Sequence, residues 1–389
     1  QPGDFVALCA ARSAEWVAAV LAILEVGAAY VPLDPDQPLA RIRHGIARCN
    51  ARVVVTRDAA FVRPPDSDLT VLELREMASS PNAAPPVAGN AAIDRSRDAV
   101  YAIMTSGSTG TPRVAAVTHA GFSNLLSFYA ELLGLTPQDR LLFATSVGFD
   151  LSQKNVFAAL IAGAELVIDD SEAFDPVRLA ESIDRHAITV LNCTPSHAYA
   201  LVAAAACDFR KLRSVRVLVL GGEPIDQQRL SAWTDHPSCS ARIVNSYGPT
   251  ECSDVVTACT VHDARENGRN LGKPIQNARC RVVDIAGTVA GIGVPGELRL
   301  AGTPLGLGYL GDPAATATKF VRDHGTRWYR TGDLVRWSGE GELQYLGRID
   351  TQVKIRGYRI ELAEIEAALR QQPEVADAVV ISRPALRAR

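Results

Sequence analysis

The sequence predicts an α/β body of parallel sheets covered by helices, which continues into an antiparallel subdomain and ends in the beginning of a small α+β unit. The first observation is an alternation of short apolar runs with helical segments over most of the chain, the mark of strands buried on both faces. The second is a change of texture near Arg279, after which short alternating strands are separated by Gly turns. The third is the tail, where only 39 residues follow Asp350, a marginal size for an independent unit.

Val6 to Cys9 reads as a strand, and Ser13 is placed to cap a helix whose apolar residues Val17, Val20, Leu21 and Leu24 recur at helical spacing until Gly27. Further strands are predicted at Val53 to Thr56, Leu141 to Ala144, Glu165 to Ile168, Thr189 to Asn192, Val215 to Leu220 and Arg242 to Asn245. Cys280 to Ile285, Glu297 to Ala301 and Glu342 to Leu346 are the antiparallel strands. In the tail, Arg348 to Glu361 reads as two short strands, Leu362, Ile365 and Leu369 share one helix face, and Val375 to Ile381 reads as a last strand. Pro81 to Asn90 and His262 to Asn270 read as flexible loops.

With 389 residues the chain has room for two or three domains, or one large unit and a small one. Its 40 basic against 43 acidic residues give a net charge of −3, which argues against a nucleic-acid partner. A hydrophobic content of 47% excludes intrinsic disorder. The most apolar early run, Trp16 to Leu24, is too short to span a membrane, and no signal peptide is visible. Eight scattered cysteines without a CxxC pair fit neither a zinc site nor a disulfide framework, so a reduced, cytoplasmic setting is expected. The chain begins at Gln1, the expected start of a segment cut from a longer polypeptide.

The stretch Met104 to His119, MTSGSTGTPRVAAVTH, contains a run of Thr, Ser, Gly and Pro. Small residues let backbone N–H groups close on phosphate oxygens, and the hydroxyls add donors; by composition alone a mobile loop fits as well. It is not a Walker loop, because Pro112, Arg113 and Val114 stand where Gly-Lys-Ser/Thr belongs. GxGxxG occurs at Gly291 to Gly296, read as a turn between antiparallel strands, and at Gly306 to Gly311, which precedes a helix too short for a dinucleotide fold. NSYGPTE, Asn245 to Glu251, follows a strand, where ligand loops of α/β sheets lie; an ordinary turn remains open. YRTGDL, Tyr329 to Leu334, either sets Asp333 on a ribose diol or is a hairpin turn. Asp150 in FDLS reads by itself as a helix cap.

Together and in order, LEVGAAYVPLDP (Leu24 to Pro35), the Gly/Ser loop, FDLS, GGEP (Gly221 to Pro224), NSYGPTE, GELRLAGTPLGLGYL (Gly296 to Leu310), YRTGDL and GRIDTQVKIRGYRIELAEIE (Gly347 to Glu366) resemble the adenylate-forming enzymes, specifically the adenylation domains of nonribosomal peptide synthetases. The resemblance implies the large N-terminal body of that family, with a barrel-like part, over residues 1–349, and the start of a mobile α+β lid over 350–389. It implies ATP-dependent activation of an amino acid, release of pyrophosphate, and capture of the acyl-AMP by the phosphopantetheine thiol of a carrier domain, in cis or in trans, beside neighbouring synthetase domains.

By that similarity Thr105, Ser106, Gly107, Ser108, Thr109 and Gly110 would hold the β- and γ-phosphates. Gly222, Glu223 and Tyr247 would hold adenine, Thr250 the α-phosphate, Glu251 a Mg²⁺ ion, and Asp333 with Arg348 the ribose. Asp150 would receive the α-ammonium, which points to amino acids rather than fatty or aryl acids. The rest of the pocket would be Leu151, Lys154, Ser196, Val219, Gly221, Ser246, Asp254 and Val255. Lys154 and Asp254 either pair with each other, or Lys154 reaches water, or Lys154 binds an acidic or amide-bearing substrate side chain. Asp350 would be the hinge and Gly357 would approach the pantetheine.

The sequence departs from the family in three ways. Pro112-Arg113-Val114 replaces Pro-Lys-Gly, which is expected to alter closure of the phosphate loop. The family's first motif is missing. No segment after Ile381 resembles the motif carrying the family's catalytic Lys, and Lys354 in the hinge hairpin does not take that role. Truncation or an inserted domain would account for the missing Lys, and an acyl-CoA synthetase or a noncatalytic nucleotide-binding module remain as alternatives.

Overall fold

The computed structural model describes residues 1–58, 68–75, 94–107, 110–169, 171, 173–261, 268–355 and 357–383. Two sheets carry the body. Among the described residues the first has seven strands in the order Gly308–Tyr309, Arg113–Thr118, Ala99–Thr105, Ala29–Leu33, Phe5–Cys9, Val53–Thr56, Thr70–Glu73. Its last five strands are parallel, and the Gly/Ser loop joins the antiparallel pair Ala99–Thr105 and Arg113–Thr118.

Among the described residues the second sheet has twelve strands, one of which, Phe320–Asp323, pairs only with Thr326–Trp337 off the main path. Val217–Gly221 lies between Val190–Cys193 and Arg242–Tyr247, all parallel, and Arg140–Phe143 extends that part to Glu165–Ile168. Beyond Arg242–Tyr247 the pairing turns antiparallel through Thr257–Thr260, Asn270–Pro274, Leu343–Arg348, Thr326–Trp337, Gly296–Gly302 and Ala278–Val283. The helices His119–Leu133 and Asp150–Ala162 share one hydrophobic cluster with both sheets, from Leu8, Tyr30 and Tyr101 on one side to Phe143, Val219 and Val244 on the other.

Most elements match their sequence signals. Ser13 Oγ accepts from Trp16 N at 3.1 Å and caps the helix Ala14–Glu25. Gly291 to Gly296 precedes the strand Gly296–Gly302, which pairs antiparallel with Ala278–Val283. Gly306 to Gly311 holds a short strand that crosses to the first sheet and pairs antiparallel with Arg113–Thr118, so no dinucleotide unit is built there. YRTGDL is no hairpin turn: it lies inside the twelve-residue strand Thr326–Trp337, with Gly332 at φ +74° and a register shift at Leu334/Val335. The strand expected at Val375 to Ile381 does not form; Val379 and Ile381 are exposed, and no described strand offers a partner. Pro81 to Asn90 lies outside the described residues, as do 262–267 of the second loop.

After residue 350 the chain makes the hairpin Val353–Ile355 with Tyr358–Ile360 and the helix Leu362–Arg370. Both rest on the body. Arg41 Nη1 meets Glu364 Oε1 at 2.6 Å, and Tyr358 packs edge-on against Phe149 with centroids 4.6 Å apart. Among the described residues no helix is long and apolar enough to cross a membrane.

Candidate active site

Asp150 is the first residue of the helix Asp150–Ala162, one position inside the cap, which is Phe149. Side chains of that same helix fasten the loop before it. Gln153 Nε2 donates to Val147 O at 2.8 Å and Phe149 O at 3.1 Å, and Ser152 Oγ donates to Ser146 O at 2.6 Å. The Tyr30 hydroxyl donates to Gln153 Oε1 at 2.7 Å and completes the network. Buried amides left without partners are costly, so the network fixes the loop and the carboxylate after it. Asp150 Oδ2 accepts from Thr250 Oγ1 at 2.5 Å and Oδ1 from Leu151 N at 2.9 Å. The helix N-terminus further favours its charge.

This carboxylate faces a cavity whose walls include Thr105, Ser106, Gly221, Ser246, Asp254 and Lys354. An adjoining cavity is lined by Gly222, Glu223, Tyr247, Asp333, Arg348 and Gln352. The Thr105 and Ser106 hydroxyl oxygens are buried and lack hydrogen-bond partners among the described residues. They are donors awaiting acceptors, which fits phosphate oxygens. A Cβ on Gly107 would lie 1.8 Å from Thr111 O, so the tight turn needs glycine there, and Gly110 N closes it onto Gly107 O at 2.9 Å. Ser108 and Thr109 lie outside the described residues.

Arg113 is the strand partner of Thr105 across the Gly/Ser loop. It starts the strand Arg113–Thr118, is 8% exposed, and places its guanidinium over the Tyr309 ring at 5.1 Å and 3.9 Å from Asp312. These contacts tie the first sheet to its crossing strand.

Tyr247 and Asp333, distant in sequence, meet: the Tyr247 hydroxyl donates to Asp333 Oδ2 at 2.5 Å. Arg348 then links Asp333 to the expected hinge, with Nη1 2.9 Å from Asp333 Oδ1 and Nε 2.8 Å from Asp350 Oδ1. Glu223 Oε2 accepts from both Ser196 N at 3.0 Å and Ser196 Oγ at 2.6 Å, and its Oε1 accepts from Gly357 N at 2.6 Å. Ser196 therefore faces Glu223 rather than Asp150. Gly357 has φ +81°, and a Cβ there would stand 2.2 Å from Thr194 Cγ2, so only glycine lets the hairpin seat this closely.

Glu251 is 1% exposed and accepts from the Tyr309 hydroxyl at 2.6 Å and from Arg359 Nη1 at 3.0 Å and 3.2 Å. Burial alone would raise its carboxyl, but the Arg359 guanidinium and the tyrosine hydroxyl outweigh it and hold the group below its ordinary value. An ionised carboxylate suits Mg²⁺, provided Arg359 moves away. Sequence reasoning assigned no role to Arg359, Tyr309, Gln153 or Thr194; only Arg359 and Tyr309 lay in quoted motifs, with nothing local to mark their partner.

The residues expected around the substrate divide into two groups. Leu151, Gly221, Ser246 and Asp254 line the Asp150 cavity, whereas Val219 and Val255 belong to the hydrophobic core behind it. Lys154 is fully buried and is not among the cavity's walls; its Nζ donates to Asp254 Oδ2 and lies 5.8 Å from the centre of the Tyr129 ring. It pairs with Asp254 and does not reach water.

Comparison with known proteins agrees with this geometry. Residues 1–310 match the family model described as AMP-binding enzyme. The chain is similar to the dimodular nonribosomal peptide synthase of Bacillus subtilis (strain 168), 40% identical over 98% of this chain and 16% of that protein. Tyrocidine synthase 2 of Brevibacillus parabrevis is 36% identical over 98% of this chain and 10% of its own length. The chain thus spans less than a fifth of either relative. Among solved structures, holo-PA1221, an NRPS protein containing adenylation and PCP domains, superposes with a TM-score of 0.84 at 30% identity, covering 97% of this chain and 65% of that one. The fused adenylation-PCP di-domain NpsA-ThdA from Klebsiella oxytoca gives 0.87 at 27% identity, covering 99% and 77%. The match of residues 1–310 to that family model, with relatives 36% and 40% identical over 98% of the chain, identifies it as a member of the AMP-binding enzyme family.

Proposed function

We propose that this chain activates an amino acid as an aminoacyl-AMP, releasing pyrophosphate from ATP, and passes the aminoacyl group to the phosphopantetheine thiol of a carrier domain in nonribosomal peptide synthesis. The observation that carries this reading is Asp150, a carboxylate fixed at a helix N-terminus and facing the same cavity as Thr105 and Ser106. A buried α-ammonium needs such an ionic partner, and fatty or aryl acids have no cation to offer it. The substrate carboxylate attacks the α-phosphorus, the new O–P bond forms as the bridge to the β-phosphate breaks, and pyrophosphate leaves with that electron pair. Such a reaction is governed by positioning and charge. Thr105, Ser106 and the Gly107 turn would cradle phosphates, Glu223 and Tyr247 would flank the base, and Asp333, held by Arg348, would accept from the ribose hydroxyls. Glu251 would hold Mg²⁺, which supplies neutralising charge to the phosphates. Residues 1–349 form the body in this reading, and 350–389 begin a lid that turns at Asp350 and brings Gly357 toward the pantetheine.

The test is amino-acid-dependent exchange of labelled pyrophosphate into ATP, run on this chain and on any natural polypeptide that continues past Arg389. Exchange that depends on one or a few amino acids and drops at least tenfold in Asp150→Ala is the expected result. No exchange in either form, or exchange indifferent to Asp150→Ala, overturns the reading.

A further inference from the structure

The far wall of the Asp150 cavity holds a second carboxylate whose orientation is fixed by the protein itself. Asp254 sits in a left-handed backbone conformation, φ +68°, directly after Ser253 at φ +58°. Asp tolerates that region better than most residues. The segment can close over the cavity because Gly248 has no side chain: a Cβ there would lie 2.3 Å from Asp254 O. Asp254 Oδ2 is engaged by the buried Lys154 ammonium, while Oδ1 receives no hydrogen bond from any described residue. The Lys154 side chain stays behind the wall, against Tyr129.

The charges decide what the site accepts. The substrate α-ammonium balances Asp150, and Lys154 balances Asp254, so neither carboxylate calls for a further cation from the side chain. A carboxylate entering would face the open oxygen of Asp254 and be repelled. A further ammonium would bring an uncompensated buried charge, since the carboxylate is already shared with Lys154. An aliphatic or aromatic side chain would cover Oδ1 and leave an ionised acceptor dry and unpaired. A neutral O–H or N–H donor satisfies it without adding charge.

Resting on the amino-acid reading of Asp150, we propose that Asp254, held by Lys154, selects an amino acid whose side chain is neutral and carries a hydrogen-bond donor, a carboxamide or a hydroxyl. This reverses the alternative in which Lys154 itself binds the substrate, because the ammonium already has its partner. Burial pushes the Asp254 carboxyl up against the pull of Lys154, with Asp150 adding to the rise, as expected for a carboxylate that lacks a second donor.

The probes are non-hydrolysable aminoacyl-sulfamoyl adenosines, whose binding to this chain is measured by calorimetry without requiring turnover. The informative comparisons are isosteric: asparaginyl against leucyl, threonyl against valyl, asparaginyl against aspartyl, with lysyl and ornithyl analogues for the cationic case. The expected result is that a carboxamide or hydroxyl analogue binds at least roughly tenfold tighter than its apolar and charged counterparts, the scale of a hydrogen bond to a charged group. Leucyl, valyl, aspartyl or lysyl analogues binding as tightly overturns the proposal and leaves Asp150 intact. If no aminoacyl analogue binds better than sulfamoyl adenosine alone, the amino-acid reading falls and takes the proposal with it. In the double variant Lys154→Met with Asp254→Asn, which leaves no lone buried charge, the donor-over-apolar affinity ratio is expected to fall to within about threefold of unity. The ratio is taken within one protein, so a general loss of affinity cancels, and a ratio that persists in a folded variant overturns the proposal.

Discussion

The Arg359 guanidinium lies 3.0 Å and 3.2 Å from the two carboxylate oxygens of Glu251, joining the hairpin after residue 350 to a buried carboxylate of the body. Removing one member of a buried pair leaves the other uncompensated, at about 3–5 kcal/mol where the site cannot open. Lifting of the hairpin would let water reach Glu251 and relieve that cost. Arg359→Gln is therefore expected to speed amide hydrogen exchange across residues 353–370 at least tenfold, with little change in the two sheets. Equal exchange in both proteins would show that the pair does not hold the hairpin down.

A divalent cation and a guanidinium compete for the same carboxylate if Glu251 holds Mg²⁺. ATP with excess EDTA is then expected to leave exchange in the hairpin unchanged, while ATP with Mg²⁺ raises it. Identical exchange under the two conditions counts against Glu251 as the metal-holding residue.

Gly357→Ala adds a methyl group 2.2 Å from Thr194 Cγ2 at a backbone angle that alanine disfavours. The hydrogen bond from Gly357 N to Glu223 should be lost with the seating of the hairpin. A crystal structure or distance measurement showing the hairpin in place, with Thr194 unmoved, would contradict this.

Arg216 forms a two-pronged pair with Asp139, at 2.7 Å and 2.8 Å, and also donates to the carbonyls of Leu133 and Gly134. Burial opposes ionisation of Asp139, yet hydrogen bonds from Arg216, Thr189 and Thr136 N prevail and hold its pKa well below the carboxylate range. Stability from a depressed carboxyl is present above its unfolded value, near 4, and is lost as pH falls toward the folded value. Arg216 is 37% exposed, which discounts the pair to about 2 kcal/mol. Asp139→Asn should show that deficit in urea melts at pH 7, shrinking below about pH 4; a deficit independent of pH would refute the assignment.

Arg113→Lys should cost about 1 kcal/mol of stability through lost contact with the Tyr309 face. A urea melt that coincides with that of the parent protein would show that this stacking carries no stability.

The parallel strands were legible because burial on both faces leaves continuous apolar runs such as Val217–Gly221. Ala99–Thr105 and Arg113–Thr118 escaped notice because they flank the Gly/Ser loop, and the stretch Met104 to His119 was weighed as a loop rather than for its strand formers. The apolar stretch Val375 to Ile381 misled for the opposite reason: a strand needs a neighbour, and local pattern says nothing about which edges are free. At the site, the motifs were visible but most of their pairings were not; only that of Lys154 with Asp254 stood among the expected alternatives. Tyr247 and Asp333 are 86 residues apart, Lys154 and Asp254 are 100 apart, and Glu251 and Arg359 are 108 apart. Such contacts follow from the packing of whole elements, so residue spacing carries no trace of them.

The strand Asn270–Pro274 is paired with Thr257–Thr260 on one side and Leu343–Arg348 on the other. It stitches the antiparallel strands to the parallel ones in a single ladder, so the change of texture near Arg279 is not a seam. A cut there would bare a strand edge on each piece, open to pairing with other chains. The two halves are thereby one cooperative unit: neither can melt without unzipping the other, and heat should meet a single transition where the sequence pattern invites two.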